Sequence, residues 1–190
     1  MLLPAFLLCA LLALAVWHDV LTRRIPNWLV LSGMLLGLAL NAILPSGAGF
    51  FSEPSGAIGF VLALQGAALG LAMLLPLYAF GAMGAGDVKL MAMVGAFLGP
   101  ESIFGTALLS LLAGGVLALA VSIWTGTLLK MLRNTYALLL HALVRGLVGA
   151  GTRIDQPAAA TGKLAYAIAI MGGTGLNIFL NKAYAWTPLS

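Results

Sequence analysis

Apolar residues run along this chain in long unbroken blocks instead of alternating with polar ones. Leu2–Trp17 is the first block, and the polar stretch from His18 to Arg24 ends it. Pro26 suits the first turn of a helix, and Trp28–Leu44 forms the second block. Pro45–Ser55, rich in Gly, Ser and Pro, reads as a loop before a third block, Ala57–Phe80. The segment Gly81–Asp87 interrupts the pattern, Val88–Leu98 follows, and Gly99-Pro100-Glu101 makes a turn. Ile103–Leu129 and Leu164–Leu180 are the fifth and sixth blocks. About 20 apolar residues cross a hydrocarbon core of about 30 Å as a helix. The pattern therefore predicts an all-α, polytopic membrane protein with about six transmembrane helices, forming a single domain over residues 1–190.

Composition agrees and narrows the classes. The chain is 62% hydrophobic and 7% charged, against about 25% charged residues in a soluble domain. Cys9 is the single cysteine, which excludes an internal disulfide and a cysteine-based zinc site. It reads as a small buried apolar residue. No basic n-region or small-residue cleavage site marks a signal peptide.

The fourth block is too short to span. At 1.5 Å per residue, Val88–Leu98 covers only about 16 Å. The glycine segment before it must then also lie at membrane depth, where irregular backbone is tolerated only inside protein or beside a wet cavity.

With six spans the basic residues sort by side. Arg23, Arg24, Lys89, Lys130, Arg133, Arg145, Arg153 and Lys163 fall on one face and Lys182 on the other. That asymmetry predicts a cytoplasmic face for the first group, with both termini outside. Glu53 and Glu101 fall on the outer side as solvated loop and turn carboxylates. Within residues 130–149, Lys130, Arg133, Asn134, His141 and Arg145 share one sector of a helical wheel, and the leucines avoid it. This predicts a cytoplasmic interfacial amphipathic helix on anionic headgroups. A seventh span is the rival, but it would spoil the charge asymmetry. Three Gly-x-x-x-Gly matches, at Gly33/Gly37, Gly66/Gly70 and Gly95/Gly99, suit close helix packing within the chain.

Asp19 ends the first span and Asp87 begins the fourth, so two complete spans put them on the same face. Ionisable groups at membrane depth are costly and usually mark function. The glycines before Asp87 clear side chains from its surroundings. The plain alternative is a hinge with a boundary carboxylate. Two carboxyl groups a few Å apart hold one proton between them. The ionised partner then takes a proton from water, and the protonated one donates to a scissile carbonyl. Neither metal nor cofactor is required. His18 and His141 stand in no nucleophile motif, and His18 reads as an interfacial histidine or a tuner of Asp19.

Gly84-Ala85-Gly86-Asp87-Val88-Lys89 matches the G-x-G-D-x-K motif of type IV prepilin peptidases, and Asp19 with Ile25-Pro26-Asn27 is similar to that family's first aspartate segment. The resemblance implies an aspartic endopeptidase of the bacterial cytoplasmic (inner) membrane, its site facing the cytoplasm. It would cut the short basic leader from prepilin or pseudopilin precursors. Asp19 and Asp87 would be the catalytic pair, supported by the motif residues Gly84, Gly86, Lys89, Ile25, Pro26 and Asn27. Partners would be the precursor, membrane lipid and the pilus-assembly machinery, with no nucleic acid. Long relatives carry a cysteine-paired region that accompanies N-methylation of the product. Its lack here implies cleavage without methylation and a short form resembling the peptidases of tight-adherence (Flp-type) pili. Presenilin-like enzymes share the second aspartate motif, but their tyrosine before the first aspartate and their Pro-Ala-Leu segment do not occur here. A non-enzymatic ion or proton relay, or a scaffold subunit, is the reading from another class. It would favour carboxylates near the middle of the membrane.

Overall fold

The structure, a computed structural model, describes residues 2–51, 54–126, 136 and 165–185. The chain divides into two compact units, Met1–Gly114 with Ala165–Ser190, and Gly115–Leu164. The first unit holds helices α1 (Leu2–Thr22), α2 (Asn27–Ile43), α3 (Phe60–Ala79), most of α4 (Ala85–Trp124), and α5 (Tyr166–Ala185). Among the described residues there is no strand; a single bridge pairs Ser46 with Ala57. In the second unit the described residues are the end of α4, a turn through Thr125 and Gly126, and Tyr136. The interfacial helix expected over 130–149 otherwise lies outside the described residues.

Three helical stretches are long and apolar enough to cross a membrane: Leu3–Thr22, Phe60–Ala79 and Ala85–Trp124. Asn27–Ile43 and Tyr166–Asn181 are apolar but shorter. Large apolar side chains such as Phe6, Leu31, Leu35, Val61 and Phe179 point away from the protein, as a lipid solvent allows. This is a membrane protein.

α1 rests against α2 and α5, and α2 against α3. The first limb of α4 is different. Leu90, Met91, Met93, Val94, Ala96 and Phe97 are all fully or almost fully buried, so this limb is sheathed by protein on every side. A helix apolar all round and enclosed needs no bilayer-spanning length. That resolves the short fourth block. α4 then breaks at Gly99, whose φ of 77° and ψ of 179° are backbone values open essentially to glycine alone. Pro100 starts the second limb, as the expected turn required.

Small residues let the helices meet. A Cβ on Gly66 would strike the Gly95 carbonyl, and a Cβ on Gly95 would strike that of Gly66. Gly70 faces the Met91 carbonyl, Gly33 the Met93 side chain, and Gly37 the Phe97 ring. All three Gly-x-x-x-Gly pairs thus serve packing within the chain.

The loop after α2 is more ordered than its composition suggests. The amides of Gly47 and Ala48 donate to Ala57 and Pro54, and those of Gly56 and Ala57 donate to Gly49 and Pro45. Phe50 and Phe51 enter the core. Buried Asn41 anchors the return, donating to the carbonyls of Gly37 (3.1 Å) and Ala96 (2.9 Å) and accepting from the Ile58 amide at 3.1 Å.

Cys9 departs from its expected burial and is exposed. The inward stripe of α1 is Leu8, Leu12 and Ala15, spaced by four and three residues. Cys9 falls beside that stripe.

Candidate active site

Asp19 lies on the inward stripe of α1, four residues past Ala15. The polar stretch beginning at His18 does not end the helix. α1 continues to Thr22, and the Arg23 amide still donates to the Asp19 carbonyl at 2.9 Å. Arg23 then turns the chain with φ 55°. Asp19 is accordingly inside the last turn and only 6% exposed. Its Oδ2 accepts the Ala167 amide of α5 at 3.2 Å. His18 turns elsewhere, meeting Trp28 edge to face with ring centroids 6.4 Å apart.

Asp87 sits in the first turn of α4, and its local fold explains the glycines. The Gly84 amide donates to Asp87 Oδ2 at 3.2 Å, while the Asp87 amide donates back to the Gly84 carbonyl at 3.2 Å. This reciprocal arrangement has the logic of a capping box, with the third helical residue reaching back to the residue before the helix. A Cβ at Gly84 would come within 3.2 Å of that carboxylate. Gly86 makes room for another segment, because its missing Cβ would lie 3.2 Å from Ile25 Cβ.

Ile25 therefore packs directly on the glycine motif. Two residues further on, Asn27 Oδ1 accepts from Lys89 Nζ at 3.0 Å. These two contacts bring the Ile25-Pro26-Asn27 segment and the glycine–aspartate segment together. Pro26 stands one position before the first helical residue of α2, in an extended conformation (φ −64°, ψ 133°). That is one step earlier than expected, and its carbonyl accepts the Val30 amide. Beside the Asn27–Lys89 pair lies a groove of about 300 Å³, lined by Val30, Leu31, Met34, Leu71 and Ala92.

The two aspartates come from different helices, α1 and α4, and lie near enough for the charge of Asp19 to bear on Asp87. Asp87 in turn acts on the phenol of Tyr166, a residue that sequence reasoning passed over as part of the sixth apolar block. Its signal was a hydroxyl-bearing aromatic at the head of that block. Among the described residues no group of three His, Cys, Asp or Glu side chains converges as a metal site would need.

Apolar helices with lipid-facing side chains, and two acids from different helices within reach of each other's charge near a capped glycine turn, define a membrane protein with a candidate acidic site. The model of the type IV leader peptidase family matches residues 6–119, more than half of the chain, and the chain belongs to that family. Neither the curated proteins nor the solved structures contain a match to it. The match covers both aspartates and ends before α5.

Proposed function

We propose that the chain is an aspartic endopeptidase that removes the short basic leader from prepilin or pseudopilin precursors. It would act at the cytoplasmic face of the bacterial inner membrane and leave the new N-terminus unmethylated. The observation that best supports this reading is that Asp19 and Asp87, from two helices, lie within reach of each other's charge. Membership of a leader peptidase family supports it.

In this reading a water sits between the carboxyl groups, one ionised and one protonated. The ionised group takes a proton as the water oxygen bonds to the scissile carbonyl carbon, and the other group protonates the carbonyl oxygen. The tetrahedral intermediate collapses by breaking the C–N bond, with the proton returned to the leaving amine. Gly84 and Gly86 hold Asp87 and admit Ile25, and the Lys89–Asn27 bond ties the two segments.

The test is cleavage of a panel of pilin-like precursors by purified protein. Asp19→Asn and Asp87→Asn should each stop cleavage in a folded, inserted protein. The double variant should be no worse, because residues acting as a unit are not additive. Chelators and serine or thiol reagents should have no effect. Near-parental cleavage by either single variant would remove the dyad and favour a relay or scaffold. Chelator inhibition rescued by added metal would make the carboxylates ligands.

A further inference from the structure

The first turn of a helix leaves amides without partners inside the helix. In α5 one of these, on Ala167, is taken by Asp19 at 3.2 Å in a buried setting. The carboxylate of α1 thus caps a helix far away in sequence, and the cap in turn fixes the carboxylate.

The side chain next to that amide is anchored independently. Tyr166 donates its hydroxyl to the Ser110 carbonyl on α4 at 3.1 Å. Its ring fills the space where Gly114 would carry a Cβ, which would lie 2.9 Å from both Cζ and the hydroxyl oxygen. The same phenol lies within reach of the Asp87 charge. Lower on α5, Asn177 Nδ2 donates to the Ser102 carbonyl at 3.1 Å and to Thr106 Oγ1 at 2.9 Å. Gly173 closes directly on Ser110. These fastenings to α4 set the height of α5 and hence of the Ala167 amide.

We propose that the first turn of α5 is a positioning element for the aspartate pair: the Ala167 amide orients the Asp19 carboxylate, and Tyr166, seated on Gly114 and tied to Ser110, holds that turn in register. The proposal rests on the dyad reading above and extends the site beyond residues 6–119 that the family model covers. Tyr166 is a positioning residue, since it acts on the reaction through Asp19.

The experiment measures kcat and KM separately, on purified full-length protein with a pilin-like precursor that it cleaves. Ala167→Pro removes this donor, and proline is tolerated in a first helical turn. Losing a hydrogen bond to a charged group predicts a fall in kcat of about 10- to 100-fold with KM unchanged. Tyr166→Ala should fall similarly. Tyr166→Phe keeps the ring on Gly114 and should recover to within about 10-fold of the parent. Thermal melting of each variant identifies any that fails to fold. If Ala167→Pro is one of these, the Tyr166 pair decides. Parental kcat in folded Ala167→Pro or Tyr166→Ala overturns the proposal. So does a loss that falls on KM alone, which would assign the turn to substrate binding. Asp19→Asn and Asp87→Asn are run alongside. If they are inactive while the α5 variants are parental, only this inference fails; if they cleave, the dyad reading fails first.

Discussion

Replacing Gly95 by alanine should loosen the protein and slow it for one geometric reason. A Cβ at position 95 would strike the Gly66 carbonyl oxygen, lie 2.6 Å from its carbon and come 3.1 Å from the Ala67 amide nitrogen. These are backbone atoms and no rotamer change can relieve them. Ordinary contact begins at 3.4 Å, so α3 and α4 must part by about 1 Å, an overpacking that costs about 1–3 kcal/mol. The first limb of α4 carries Asp87, and a misplacement of about 1 Å in a reacting group can cost about 100-fold in rate. The expected outcome is a lower melting temperature in detergent and a kcat reduced by between 10- and 100-fold. Gly66→Ala should behave alike, and the double variant should fall short of the sum, because both force apart the same helix contact. Gly172→Ala is the control, since nothing lies within 4 Å of its missing Cβ; it should be neutral or slightly stabilising. A Gly95→Ala protein with parental melting and parental kcat would refute the close helix contact.

Other outcomes follow from single contacts. Gly86→Ala must displace Ile25 by only a few tenths of an ångström and should retain most activity. Gly86→Val should cost about 1–3 kcal/mol in stability and most of the cleavage rate, read by melting and precursor cleavage. A double-mutant cycle of Lys89→Met with Asn27→Ala should return a coupling of about 0.5–1 kcal/mol in stability; zero coupling would mean that the bond does not tie the two segments. Asn41→Ala strands the Ile58 amide and the Ala96 carbonyl, so it should destabilise by roughly 2–5 kcal/mol without changing the chemistry of the remaining folded protein.

Much was legible in the chain because lipid imposes a simple rule: long apolar blocks become helices, and punctuation falls where backbone must turn. Gly99-Pro100 is such a mark, and α4 breaks there. Asp19 and Asp87 stood out for the same reason, as rare acids in a chain with little else to ionise, and the two apolar blocks between them predicted a shared face. The glycines before Asp87 implied a close approach.

Tertiary structure alone decided which side of each helix meets protein. In water an amphipathic stripe reveals the core; in lipid both faces are apolar, so α1 shows no such stripe. Cys9 and Leu8 are equally apolar neighbours, yet Leu8 is buried and Cys9 exposed. Only packing shows that Leu8, Leu12, Ala15 and Asp19 share the inward line, which is why Asp19 is buried inside a helix and not displayed at its end. The partners of the motif residues were hidden for the same reason. That Ile25 fills the gap at Gly86, that Lys89 meets Asn27, and that the Ala167 amide reaches Asp19 are contacts between segments distant in sequence. No local pattern encodes them, because each depends on how closely small residues such as Gly66 and Gly95 let the helices approach.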